Sequence, residues 1–136
     1  MRKTASLLAA LVAVGMTEPA MAQSIKRTPL QTFDVPGTHY ETVIALVEFV
    51  PNVTAGRRTH LGPEAGYVLE GEVTLSVQGQ PDKRFKAGES YHVPAGVVHD
   101  ARSGPRGVKV LMTYVADRRQ PLDQLADRGA PRVRFS

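Results

Sequence analysis

The chain has 136 residues, the length of one ordinary domain, which argues against a multidomain enzyme with separate cofactor and substrate modules. Hydrophobic residues make up 42% and charged residues 22%, which excludes a disordered or fibrous protein. The net charge of +4 comes with no tryptophan and only 6% aromatic residues, and no basic strip with interleaved aromatic side chains is present, so we expect no nucleic-acid partner. Ten prolines and twelve glycines favour turns and short strands over helices.

The first 22 residues have the pattern of an export signal. Arg2 and Lys3 give a positive start, residues 5–16 form an apolar run, and residues 20–22 supply a small-x-small cleavage pattern. The run is shorter than the roughly 20 residues of a membrane-spanning helix. We therefore expect cleavage after Ala22, no stable membrane insertion, and a periplasmic or secreted protein. The chain contains no cysteine, so lipid attachment at a cysteine and disulfides are excluded.

Strand-forming segments separated by proline and glycine follow the signal. Residues 23–39 are expected to form an arm with an edge strand at 30–35, and residues 40–115 a barrel. The strands predicted in the barrel are 40–50, 66–77, 85–93, 99–103 and 108–115. Residues 116–136 form a basic tail in which 121–126 are compatible with one helical turn. This pattern predicts a single all-β domain, an antiparallel sandwich or barrel.

Three residues have the chemistry of a metal site. His60 and Glu64 lie four residues apart beside a predicted strand, and His99 follows a Pro-x-Gly corner. Two imidazoles and one carboxylate suit non-haem iron, and zinc or manganese would also be compatible. By spacing alone the alternative stays open that His60 lies in a loop, Glu64 caps a neighbouring segment and His99 is a satisfied core histidine.

The two segments resemble the paired motifs of the cupin superfamily. The residues that match in order and spacing are His60, Glu64 and Gly71 in the first motif, and Gly88, Pro94, Gly96 and His99 in the second. The resemblance covers about residues 40–115. It implies a double-stranded β-helix, or jelly-roll barrel, whose mouth holds His60, Glu64 and His99 as ligands of iron, manganese or zinc. Val68, Val93 and Val110 are expected to fill the interior.

The chain departs from the family pattern at three positions. Arg58 replaces the first metal-binding histidine, Ser103 the final asparagine and Asn52 the opening glycine. Arginine does not bind metals, so the ligand set has at most three members. Arg58 has three interpretations: it faces inward toward an anionic ligand, it pairs with Glu64 and replaces the metal's charge, or it points outward on a shifted strand.

The other titratable residues considered are expected to have no role in the site. His92 is expected to be a strand side chain outside the ligand set, and His39 a surface residue near a turn. Glu70 and Glu72 are expected on a solvated strand face. The family suggests a homodimer formed through an edge strand.

Two functions remain open at this point. The first is a metal-dependent oxygenase or isomerase acting on a small organic acid or phenol. The second is a non-catalytic module that binds a small molecule or anion, with Arg58 as a substrate-binding residue in place of the metal. The fold does not decide between them, so whether the protein is an enzyme stays undecided.

Overall fold

Eight antiparallel β-strands make up the structure, a computed structural model that describes residues 24–120 and 124–125. The strands are β1 (Ile25–Asp34), β2 (Tyr40–Phe49), β3 (Arg58–Thr59), β4 (Glu64–Val77), β5 (Lys83–Lys86), β6 (Ser90–Val93), β7 (His99–Asp117) and β8 (Gln124–Leu125). The described residues form no helix, which confirms the predicted all-β class. The predicted export signal, residues 1–22, lies outside the described residues.

No helix among the described residues is long and apolar enough to cross a membrane.

The two longest strands, β4 and β7, run through both halves of the molecule. The first part of β4 pairs with β6 and with the last part of β7, which also pairs with β2. The second part of β4 pairs with β5 and with the first part of β7. Both strands bend at glycines with left-handed backbones, Gly71 (φ 72°) and Gly107 (φ 76°). The bends touch, because a Cβ on Gly71 would clash with the Gly107 carbonyl.

The core follows from strand alternation, since residues two apart along a strand share one face. Ala45, Val47 and Phe49 of β2 are buried and face the interior. The three valines expected inside, Val68, Val93 and Val110, are each no more than 2% exposed. Among the described residues six polar or charged residues are buried, and four of them, Arg58, His60, Glu64 and His99, lie near the starts of β4 and β7.

Several predicted strand boundaries are wrong. Residues 99–103 and 108–115 belong to one strand, β7, because residues 104–107 continue it through the bend. Residues 85–93 form two strands, β5 and β6, because a turn separates them, in which Glu89 donates a backbone hydrogen bond to Lys86. The predicted edge strand begins earlier, at Ile25, and pairs with β2 alone.

The expected helical turn at 121–126 is also wrong in part. Residues 124 and 125 form β8, which pairs with β3 opposite Thr59 and Arg58. Backbone pairing with β3 therefore replaces a local helical hydrogen bond at these two positions. The other residues of that segment lie outside the described part of the chain.

Candidate metal centre

His60, Glu64 and His99 come together at one end of the interior. Each offers one ligand atom, and these three atoms lie within 4.8 Å of one another. All three residues are at most 4% exposed. The imidazole rings of His60 and His99 have centroids 5.0 Å apart. The structure thus brings together the triad that the two motifs contain, although the role of its members as metal ligands stays a prediction.

Strand pairing explains why the triad converges. Glu64 and His99 are the first residues of β4 and β7, and His60 directly follows β3. β3 pairs with β7 opposite His99, through Arg58, so the segment containing His60 starts beside His99. The loop between His60 and Glu64 is only three residues long, which returns the chain to the same site.

That loop packs tightly against β7. The amide of Val115 donates a hydrogen bond to the Pro63 carbonyl at 3.1 Å. Gly62 lies so close that a Cβ on it would clash with the carbonyl oxygen of Val115. A side chain at position 62 would therefore push the loop, and with it His60, away from the strand.

His99 has a hydrogen bond that determines its tautomer. Its Nδ1 lies 3.0 Å from the Val97 carbonyl, which only accepts, so Nδ1 carries the proton. In the neutral ring the lone pair is then on Nε2, which lies 3.3 Å from Glu64 Oε1. A metal-binding histidine usually donates the N–H of its other ring nitrogen to a carbonyl or carboxylate, which fixes the orientation of the ring.

Glu64 is a carboxylate buried between two imidazoles. Its Oε2 lies 2.6 Å from His60 Nε2. Burial raises the pKa of this carboxyl, but the side chains of His60 and His99 together outweigh burial and lower its pKa to about 2. Glu64 is therefore ionised at neutral pH, as a metal ligand must be.

The donor set fits a divalent transition metal. Glu64 Oε2 and His99 Nε2 are buried but make no hydrogen bond of good geometry within the described residues, despite the short distances. Such close but misaligned atoms are expected where donors face a common cation instead of one another. Nitrogen and oxygen donors suit iron, manganese or zinc, and three ligands leave open positions.

Arg58 is buried at 5% exposure, so the interpretation in which it points outward is wrong. Arg58 and His60 are both buried, while Thr59 between them is only partly buried. The Nη1 of Arg58 donates to the Gly56 carbonyl at 3.3 Å. The alternative in which Arg58 replaces the charge of the metal stays a prediction.

The other two departures have structural roles. Asn52 has a left-handed backbone (φ 57°), a conformation that glycine adopts most readily and asparagine tolerates. The Ser103 hydroxyl donates to the Val50 carbonyl at 2.7 Å and accepts from the Val53 amide at 2.9 Å. Both residues therefore shape the loop after β2.

The remaining titratable residues lie away from the triad. His92 and His39 are exposed, as expected. Glu70 and Glu72 lie near the cations Lys109 and Arg84 on the solvent side.

Sequence reasoning missed Tyr114, which packs its ring edge-on against His60 at 5.5 Å between centroids. Tyr114 lies opposite Glu64 and two residues after the buried Met112 on β7. Strand alternation therefore places Tyr114 on the same inward face as Met112.

The chain is similar to known proteins in both sequence and fold. A segment of 61 residues is 39% identical to the HTH-type transcriptional regulator PuuR of Escherichia coli strain K12; it covers 44% of this chain and 32% of the regulator. This chain therefore matches only about a third of that relative's length.

The fold is shared by solved structures, among them the following two. A cupin superfamily protein of Desulfitobacterium hafniense is 19% identical, with a TM-score of 0.59, and the match covers 74% of this chain and 84% of that protein. The DMSP lyase DddQ of Ruegeria pomeroyi is 21% identical, with a TM-score of 0.58, and the match covers 62% of this chain and 43% of the lyase. The sequence model of the cupin domain matches residues 45–114. With this match over half of its length, and with the barrel it folds into, the chain belongs to the cupin domain family.

Proposed function

We propose that this protein is an exported cupin that binds one divalent transition metal, iron, manganese or zinc, through His60, Glu64 and His99. The observation that carries the proposal is the buried carboxylate between two imidazoles, one of which presents its lone pair through the bond to Val97. A divalent metal would supply positive charge that stabilises the ionised carboxylate buried in the barrel. Residues 1–22 support the export part of the proposal.

The ligand is a small organic acid or phenol that binds in the barrel beside the metal. A bound ion supplies Lewis-acid chemistry and orients an oxygen of its ligand. Arg58 offers a permanent positive charge two residues from His60, suited to a carboxylate or phenolate. An oxygenase or isomerase is the enzymatic form of this proposal. That DddQ, which shares the fold, is a lyase supports a catalytic role for such a barrel.

Metal analysis of the purified protein tests the proposal. We expect about one metal ion per chain after purification from the exported fraction, and His99→Ala to weaken metal affinity at least about 100-fold. His92→Ala is the matched control, since it removes an exposed imidazole outside the triad. Protein that takes up no iron, manganese or zinc in a titration would refute metal binding.

The second candidate is a non-catalytic module in which Arg58 provides the positive charge for a small anion. Its support is the burial of Arg58, which places an unusual charge inside the barrel. The similarity to PuuR, a regulator by name, supports a binding role over a catalytic one. Carboxylate binding that persists in His99→Ala but is lost in Arg58→Met would establish this alternative.

Export is tested separately. Mass spectrometry of the protein from the cell envelope should find Gln23 at the N-terminus. Retention of Met1 on that protein would refute the signal and leave the metal proposal unaffected.

A further inference from the structure

The second half of the barrel has a polar outer face with two arginines in one row. This half consists of β5, the second part of β4 and the first part of β7. Thr74 of β4 pairs with Arg84 of β5 on one side and with Arg102 of β7 on the other. Val73 and Leu75, which precede and follow Thr74, are buried, so the row points outward. Two exposed arginines therefore flank one threonine on the solvent side of the sheet.

The two arginines are spaced to bind one anion together. Neighbouring strands lie about 4.8 Å apart, so roughly 10 Å separates the Cα atoms of Arg84 and Arg102. Their long side chains can bring both guanidinium groups above the hydroxyl of Thr74. Arg84 Nε lies 4.0 Å from Glu72 Oε1, at the limit of an ion pair. Arg102 forms no ion pair with any residue that the structure describes, so its charge is available to a partner.

A cavity of about 320 Å³ adjoins this row, a volume at the lower end of the range of ligand pockets. Its polar lining residues are Arg57, Ser76, Gln78 and Asp100. Ser76 pairs directly with Asp100, and both lie two residues from the Thr74–Arg102 pair, hence on the same outer side. His99 also lines the cavity, but its side chain has no exposed surface and faces the triad. The cavity is therefore outside the barrel and separate from the candidate metal centre.

Asp100 gives this cavity a hydrogen-bond acceptor beside its donors. Its Oδ1 accepts from the Gly56 amide at 3.0 Å and from the Ala101 amide at 2.7 Å. Its Oδ2 accepts no hydrogen bond within the described part of the chain. Arg57 is exposed and forms no ion pair with a described residue. A cation and a carboxylate oxygen, neither of them paired with the other, thus line the same cavity.

This combination of groups matches an acidic carbohydrate. Sugar hydroxyls both donate and accept hydrogen bonds, so they suit the Asp100 carboxylate together with the hydroxyl of Ser76 and the amide of Gln78. The acid groups of such a sugar suit the guanidinium groups, which bind carboxylates and sulfates through two parallel hydrogen bonds. A ligand with phosphates alone offers acceptors and few donors, and the charge of Asp100 repels it.

Other anionic partners fit this face less well. Phe85 is the aromatic residue within β5, residues 72–77 and residues 99–104, and it is buried, so no described side chain of these segments can stack on a nucleic-acid base. The large apolar side chains that are exposed among the described residues all lie outside these three segments. Insertion into a lipid surface would need such side chains on this face.

We propose that this surface binds an acidic polysaccharide, with the acid groups on the arginines and the sugar hydroxyls in the cavity. We name it the arginine face, made of Arg57, Thr74, Ser76, Arg84, Asp100 and Arg102. The inference does not rest on the proposed metal function, because it uses the outer side of the sheet and no side chain of the triad.

Binding to immobilised carboxymethyl dextran tests the proposal, with uncharged dextran of equal length as the reference polymer. We expect the wild type to bind the charged polymer only, and Arg102→Gln to weaken this binding at least about five-fold. Rising salt should also weaken it. Arg106→Gln is the matched control, because it removes the same charge from an exposed arginine at the bend of β7, beside Glu48 and Glu70. This control should bind like the wild type.

Asp100→Asn distinguishes a carbohydrate site from a general polyanion site. Asparagine keeps an oxygen for the two amides but replaces the charged acceptor of the sugar hydroxyls. We expect weaker binding of carboxymethyl dextran and stronger binding of polyphosphate, which loses a repelling charge. Stronger binding of both polymers would overturn the assignment to a carbohydrate.

Three other results would also overturn the proposal. They are a wild type that does not bind carboxymethyl dextran, equal effects of Arg102→Gln and Arg106→Gln, and equally tight binding to phosphatidylglycerol vesicles or polyphosphate. Circular dichroism checks that the variants are folded. Arg57→Gln, on the cavity wall, replaces Arg102→Gln if that variant is not folded, with weaker binding still expected. Binding that persists after a chelator has removed metal supports this proposal even if metal binding fails.

Discussion

The backbone carbonyl of His60 accepts a hydrogen bond from the Gly96 amide at 2.8 Å. This bond joins the segment of the first ligand to the Pro94–Gly96 corner that precedes His99. The two histidines are thus positioned by main-chain geometry as well as by their own side chains. Ligands that are held in place before the metal arrives require little reorganisation on binding.

Gly62→Ala tests how much the loop contributes to this arrangement. The added methyl group would clash with the backbone of β7 at Val115, which cannot rotate away. We expect a loss of more than about 1 kcal/mol in the free energy of unfolding, together with weaker metal binding. Thermal unfolding and metal titration measure the two effects. Unchanged values in both would show that the loop does not position His60.

Gly66→Ala tests a different close approach, near the start of β4. A Cβ there would lie 2.5 Å from Cζ and 2.7 Å from the hydroxyl oxygen of Tyr91, whose hydroxyl donates to the Met112 sulfur at 3.4 Å. We expect a destabilisation of about 1–3 kcal/mol in denaturant unfolding. Tyr91→Val in the same chain should relieve part of it. Additive effects of the two substitutions would contradict the contact.

Arg58→His restores the imidazole that the family pattern has at this position. We expect metal affinity to rise about ten-fold or more, because a neutral ligand is gained and a buried positive charge near the cation is removed. Titration of both proteins with iron, manganese and zinc gives the affinities. The wild type starts with measurable affinity if three ligands suffice, and with none if Arg58 replaces the metal. No change would mean that residue 58 does not reach the site.

Asp117→Asn tests an ion pair at the end of β7. Hydrogen bonds from the Arg119 side chain (2.9 and 2.7 Å) and from its backbone amide (3.0 Å) hold the pKa of Asp117 below its usual range. The stability that this pair adds is complete above the unfolded-state pKa of about 3.9 and is lost as the pH falls through the lower folded-state value. The variant should unfold at a slightly lower temperature near neutral pH. This difference should narrow in strong acid, and a constant difference would exclude the pair as its cause.

The sequence predicted which side chains come together better than it predicted the strand boundaries. The two motifs singled out His60, Glu64 and His99, and pairing between distant strands brings their ligand atoms within 4.8 Å of one another, while metal binding stays a prediction. Residues 104–107, Gly-Pro-Arg-Gly, have the composition of a loop, yet they continue β7 through a bend. That these residues continue the strand depends on the pairing of β7 with β2 and β4, which the local sequence does not show.

The orientation of Arg58 could be predicted only as one of three alternatives, because β3 is two residues long. A strand that short has no alternation of its own, and its pairing with β7 determines its face. The role of the Val97 carbonyl in orienting His99 was also not predicted. Every residue has a main-chain carbonyl, so the sequence does not show which one accepts a given hydrogen bond.

The touching bends at Gly71 and Gly107 have a consequence for how the chain folds. Because β4 and β7 each contribute one part to either half of the barrel, the two halves are joined through both strands at these glycines. We therefore expect one cooperative unfolding transition, without a half-folded intermediate. The pairing of Gly71 with Val108 joins distant parts of the chain, and such contacts close slowly, so refolding should take milliseconds to seconds.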